Sequence, residues 1–144
     1  MSDTFLVGVD GSEGSLRAAQ FAVDRAKRLD VRLVVAFMIE WSPYSFNTPE
    51  ENEIRHKRRE QEISTATNKV LNPMLESIRE SGVETEGVVR HGNIAEVMIK
   101  LAKDYNAIGM FIGRLGTASL KSKLFGSVTS NLVQTSPIPV TVVP

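Results

Sequence analysis

Apolar residues in this chain alternate between two patterns, short near-continuous runs and longer stretches in which they recur every three or four positions. Residues 5–9 (FLVGV) form the first run and lead into Asp10, Gly11 and Ser12, which predicts a buried strand ending in a turn. Leu16, Ala19, Val23 and Ala26 then recur at helical spacing, opposite Arg17, Asp24, Arg25, Lys27 and Arg28. An amphipathic helix with Ser12 as its N-cap follows from that spacing. Residues 31–39 (VRLVVAFMI) read as a strand covered on both faces, and residues 40–48, with Trp41, Pro43, Tyr44, Phe46 and Asn47, as a loop. Thr48 and Pro49 make an N-cap and a first helical proline. The stretch 50–81 favours helix, with Glu51/Arg55 and Glu53/Lys57 spaced for ion pairs, a kink or break expected near Asn72 because of Pro73, and Gly82 as its end.

Residues 84–90 (ETEGVVR) predict a weaker third strand. Gly92 and Asn93 turn into a helix whose apolar positions are Ile94, Val97, Met98, Leu101, Ala102 and Tyr105. Residues 107–112 (AIGMFI) predict a fourth strand, 113–125 a long loop, 127–134 a short helix and 138–143 a last strand punctuated by Pro137 and Pro139. Strands and helices thus alternate to the end, which selects an α/β fold: an open, doubly wound, Rossmann-like parallel sheet with helices on both faces. No linker, internal repeat or low-complexity tract divides the chain, so residues 1–144 are expected to form one domain.

Composition narrows the function. Lys and Arg number 17, and so do Asp and Glu, giving a net charge of zero, which speaks against a general nucleic-acid binder. The chain has no cysteine, so disulfides, Cys-ligated metals and a cysteine nucleophile are excluded. A length of 144 residues suffices for a core without such staples. The opening MSDTFLVGVD lacks the basic and long apolar regions of a signal peptide, and no apolar run is long enough for a membrane span. A soluble, cytoplasmic protein with no direct membrane insertion is the expectation.

In open α/β sheets ligands bind beyond the carboxyl ends of the strands, where the winding direction reverses. Those ends fall here at Val9-Asp10-Gly11, Met38-Ile39-Glu40, Arg90-His91-Gly92 and Ile112-Gly113. The loop after the fourth strand reads Gly113-Arg-Leu-Gly116, then nine residues, then Gly126-Ser127, with a helix opening at the serine. Glycines let backbone amides approach an anion, and a helix N-terminus supplies free N–H groups and partial positive charge. Ser127 and Thr129 add hydroxyls, Arg114, Lys121 and Lys123 add cations, and no Asp or Glu occurs after Asp104. These features describe a phosphate cradle; taken singly, each glycine could serve a turn and Ser127 only a cap.

The complete spacing resembles the G-x2-G-x9-G-(S/T) motif of the universal stress protein family, in its ATP-binding branch, through Gly113, Gly116, Gly126 and Ser127. The segments VGVDGSEGS, HGNIAEVMIKLAKDYNA and GSVTSNLVQTSPIPVTVVP are similar to the family's first strand, fourth-strand approach and closing helix and strand. The likeness spans nearly the whole chain except the middle helix. No Walker A loop or G-x-G-x-x-G is present.

The resemblance implies a five-stranded sheet in the order 3-2-1-4-5 and an ATP site at the strand ends. It places Asp10 at the ribose or the metal–phosphate region. Val9, Met38 and Ile39 would flank the adenine, with Ile112 close by beside Gly113. Gly116, Gly126, Ser127, Val128 and Thr129 would hold the phosphates, and Mg²⁺ or Mn²⁺ would accompany the triphosphate, mainly on phosphate oxygens with Asp10 as the candidate protein ligand. Arg114 and Leu115 invert the polarity usual at those positions, and Ile108-Gly109 replaces the family's acidic-aliphatic pair. A valine at Gly113 is expected to block amide approach and abolish binding while leaving the fold intact.

Asp10 alone could equally be a turn residue, and His91 a packing residue at a strand end. His56 reads as part of a solvated helix face, and Trp41, Tyr44 and Phe46 as local packing or a cap over the adenine. No catalytic constellation is legible, so hydrolysis is expected to be slow at most. The leading expectation is an ATP-binding stress-response regulator whose nucleotide state controls oligomerisation or a protein partner, which the resemblance suggests could be a transporter. The alternatives are a slow nucleotide-hydrolysing or adenylate-forming enzyme of the same fold, and an interaction module that binds no nucleotide. Ile138, Pro139, Val140, Thr141, Val142 and Val143 form an uncharged edge strand, through which the resemblance implies a homodimer, with higher oligomers open.

Overall fold

A computed structural model of the chain describes residues 3–40, 49–114 and 127–144. The elements run β1 (Thr4–Val9), α1 (Glu13–Leu29), β2 (Arg32–Glu40), α2 (Pro49–Thr65), a π-helical segment (Ala66–Leu71), α3 (Asn72–Glu80), β3 (Thr85–Gly92), α4 (Ile94–Asp104), β4 (Ala107–Gly113), α5 (Ser127–Thr135) and β5 (Val140–Val143). The five strands form one parallel sheet in the order β3-β2-β1-β4-β5, as expected.

Side-chain alternation divides the core into two layers. Phe5, Val7 and Val9 of β1 join Leu33, Val35, Phe37 and Phe111 beneath α1, the π segment and α3. Leu6 joins Val34, Ala36, Met38, Met110 and Ile112 beneath α4 and α5. Cover on both faces is why the strands read as nearly continuous apolar runs. The two faces also follow from right-handed crossovers: the chain winds from β1 to β2 to β3 over one face, then returns past β1 to β4 and β5 over the other.

Three local expectations need correcting. Leu16 does not join the buried face of α1 but is 46% exposed, because α1 meets the sheet through Gly14, Ser15, Ala18, Ala22 and Ala26, whose small side chains bring the helix too close for leucine. Pro73 does not break the helix at Asn72, which keeps helical dihedrals of φ −60° and ψ −46°. The helix instead widens ahead of it into the π segment, with the Asn72 N–H donating to the Thr67 carbonyl five residues back. That shift removes the clash a proline ring makes with the carbonyl four residues earlier and places Pro73 in the first turn of α3. The last strand starts at Val140 rather than at position 138, since a proline nitrogen cannot enter the ladder; Pro139 contributes only its carbonyl, which accepts from Met110 N–H at 3.0 Å.

Asp30 closes α1 in the left-handed region, at φ 54°. A side chain there is strained, whereas glycine is not. Asp30→Gly is therefore expected to raise stability, by no more than the roughly 1–2 kcal/mol that the left-handed region costs an L-residue, read as a higher urea midpoint at unchanged slope.

Candidate functional site

β1 and β4 lie side by side, but α1 leaves β1 over one face while α5 returns beside β4 on the other. Their carboxyl ends therefore border the point where the winding reverses, the place this architecture reserves for ligands.

On the β1 side, Asp10 organises a closed turn. Its Oδ1 accepts from the Ser12 N–H at 2.9 Å and from the Ser12 hydroxyl at 2.5 Å. Ser12 Oγ in turn accepts from Ser15 N–H at 3.2 Å, confirming Ser12 as the N-cap. The Ser15 hydroxyl donates to the Ser12 carbonyl at 3.0 Å and accepts from Asp10 N–H at 3.2 Å. Gly11, at φ +85°, makes the reversal that allows this ring of bonds. The Ser-x-x-Ser spacing was visible in the sequence, but only the ring shows why both serines are needed.

On the β4 side, Gly113 is buried against α1. A Cβ built there would stand 2.9 Å from the backbone C and O of Gly14 and 3.2 Å from Ser15 N. The glycine thus serves the approach of a strand end to a helix, and a valine cannot leave the fold intact, contrary to the expectation from sequence. The Gly113 carbonyl accepts from the Thr129 hydroxyl at 3.1 Å, which ties the first turn of α5 to the end of β4. The Arg114 N–H donates to the Val143 carbonyl at 2.8 Å, joining the same corner to β5.

The remaining candidates take different places. Ser127 opens α5 and is exposed, and Val128 is half-buried against the α4 layer. Thr129 commits its hydroxyl proton to Gly113, so its backbone amide is the donor it presents at the helix end. Val9 is buried beneath α1 and Ile39 half-buried on the same side, whereas Met38 and Ile112 are buried on the opposite side. These four side chains do not converge; what they bring to the rim is the backbone that follows them. Gly116, Gly126, Lys121, Lys123, Thr48, Trp41, Tyr44 and Phe46 lie outside the described residues.

His91 is not part of this corner. Its Nε2 is 3.2 Å from Glu62 Oε2, linking the end of β3 to α2. The Tyr105 phenol, raised above its ordinary pKa first by burial and then by a hydrogen bond to Glu86, belongs to the turn before β4, at the opposite end of that strand from Gly113. Among the described residues, no group of three or more His, Cys, Asp or Glu side chains could hold a metal ion, and no helix is long and apolar enough to cross a membrane.

The profile of the universal stress protein family matches residues 1–144. The chain belongs to that family. Universal stress protein YxiE of Bacillus subtilis is 27% identical over 152 residues, covering 99% of each chain. In structure, the chain is similar to universal stress protein UspA of Lactobacillus plantarum, with a TM-score of 0.87 over 99% of this chain and 97% of that one at 22% identity. It is also similar to a universal stress protein of Archaeoglobus fulgidus solved in complex with dAMP, with a TM-score of 0.62, 20% identity and coverage of 100% and 98%. Within this universal stress protein, the site therefore stands on its own residues and the likeness supplies the fold.

Proposed function

We propose that this protein binds ATP at the β1–β4 corner and acts as a stress-response regulator whose nucleotide state changes its association with itself or with a protein partner. The observation that carries the reading is the convergence of Asp10, the Gly113 corner and the N-terminus of α5 at the reversal of winding. Gly116, Gly126, Ser127, Val128 and Thr129 would hold phosphates through amides and the Ser127 hydroxyl. Val9, Met38, Ile39 and Ile112 would frame the base through the backbone at the strand ends.

The donor set suits a metal carried by the nucleotide. Asp10 is the carboxylate at the corner, and Mg²⁺ or Mn²⁺ needs few protein ligands when phosphate oxygens supply the rest. Asp10 already braces Ser12, so its part would be to share that carboxylate between turn and ion. Turnover would be slow at most, since the Asp10 carboxylate is already held by the Ser12 N–H and hydroxyl.

The β5 edge, with Val140, Thr141 and Val142 half-buried, is the surface for a homodimer. A transporter or similar membrane machinery is the kind of partner that the family resemblance suggests for such a regulator. The test is mass analysis of the small molecule released from natively purified protein. Recovery of ATP or another adenine nucleotide in near-stoichiometric amount is expected. Protein that carries none and takes up none on titration would overturn the reading in favour of an interaction module.

A further inference from the structure

Helix α2 is unlike the others. No described side chain between Pro49 and Thr65 is buried, and the helix continues without interruption into the π segment. That segment meets β2 and β3, and Glu62 reaches His91 near the carboxyl end of β3. The helix runs on for about 20 Å on the N-terminal side of Glu62, at roughly 1.5 Å per residue. A helix polar on all sides rests on its own ion pairs or on a partner. His56 Nε2–Glu60 Oε1 at 3.0 Å is one such pair, and exposed pairs of that kind contribute little by themselves.

The charges along this arm are ordered. Ile54, 57% exposed, sits between two acids and two bases on its own face: Glu50 and Glu51 four and three residues before it, Lys57 and Arg58 three and four residues after it. All four are exposed. A second copy laid antiparallel about a twofold axis through Ile54 sets Glu50 against the second copy's Arg58 and Glu51 against its Lys57, and by symmetry the reverse. A parallel partner would set like charge against like. The face is thus self-complementary in one orientation, as an isologous contact requires.

We propose that α2 is a self-association surface on which two copies of this chain pair antiparallel across Ile54. Exposed ion pairs are individually weak and screened by salt, so the contact is concentration-dependent and loosens as ionic strength rises. It lies on the β3 side of the sheet, away from β5 at the far edge. The pairing does not depend on nucleotide binding or on the β5 dimer. Where both contacts form, two separate isologous surfaces on one chain carry assembly beyond the dimer.

The chain's lack of cysteine makes the test direct. Ile54→Cys is placed on the proposed axis, and His56→Cys on the far side of the same helix serves as control. Under mild oxidation at low salt the full-length Ile54→Cys protein is expected to form a covalent dimer about tenfold faster than the control, because a disulfide closes only when the Cβ atoms come within roughly 4 Å. Adding Lys57→Glu and Arg58→Glu should remove that advantage. Mixing this protein with an Ile54→Cys protein that carries Glu50→Lys and Glu51→Lys should restore it as a mixed dimer. Circular dichroism confirms that each variant retains its helix. Equal rates at positions 54 and 56, or a mixture that fails to recover cross-linking, would overturn the pairing.

Discussion

Replacing Gly113 by valine is expected to destabilise the protein by about 3 kcal/mol or more, since inserting side-chain atoms into packed structure typically costs 1–3 kcal/mol even where neighbours can move. Here the obstacle is backbone. The Cβ would stand 2.9 Å from Gly14 C and O, and α1 cannot withdraw without carrying the ring of bonds among Asp10, Ser12 and Ser15 with it. β4 cannot withdraw either, because the Gly113 carbonyl holds Thr129 and the adjoining Arg114 N–H holds Val143. Gly8→Ala is the informative control. A Cβ there meets Met98 Sδ at 3.0 Å and Cε at 3.1 Å, the end of a flexible chain that can turn aside at smaller cost. Urea unfolding should rank Gly113→Val well below Gly8→Ala. A Gly113→Val protein with the wild-type midpoint would show that the β4–α1 approach is looser than its geometry. Loss of nucleotide binding in this variant says nothing about phosphate contacts, because the corner itself is displaced.

The same corner shows what could be read from sequence and what could not. The parallel sheet with helices on both faces followed from apolar runs alternating with helical spacing, since continuous runs arise where both faces of a strand are covered. The strand order 3-2-1-4-5 came instead from the family resemblance. Asp10 and Gly113 were picked out by their places at the strand ends, and the reversal between β1 and β4 followed once the resemblance supplied the strand order. Their local work was hidden, because it depends on contacts across the chain. Gly113 looked like a residue freed for an anion, but its immediate neighbour is Gly14, 99 positions away by subtraction and paired with it only in the folded state. Leu16 fitted a helical stripe, yet the stripe that packs is set by how near α1 lies to the sheet. Pro73 was correctly marked as a problem for the helix. Its solution, a π-helical widening upstream, uses backbone hydrogen bonding that no residue type announces.

Replacing Ser127 by aspartate is expected to weaken ATP binding by about a hundredfold or more while leaving the fold untouched. Ser127 is exposed at the start of α5, in a described helix whose first turn holds no acid. A carboxylate in that turn favours the helix itself by roughly 0.3–1 kcal/mol, through the partial positive charge of the N-terminus. The fold therefore has no reason to reject it. A phosphate bound at the same amides meets a fixed like charge a few ångströms away, a repulsion of about 1–4 kcal/mol per charge pair between the dielectric of water and that near a protein surface. Because the triphosphate carries several charges, the loss should grow from adenosine, which has none, through AMP to ATP. Ser127→Asn, similar in size but uncharged, should retain most of the affinity and so separate charge from shape. Calorimetric titration of the three ligands against wild type and both variants reads this directly. If the aspartate protein binds ATP as tightly as wild type at an unchanged melting temperature, the phosphates do not lie at the N-terminus of α5. If adenosine and ATP lose equally, the substitution has disturbed the base rather than repelled the phosphates. A graded loss that deepens with each phosphate, on a fold at least as stable as before, is the outcome that only an anion site at this helix end produces.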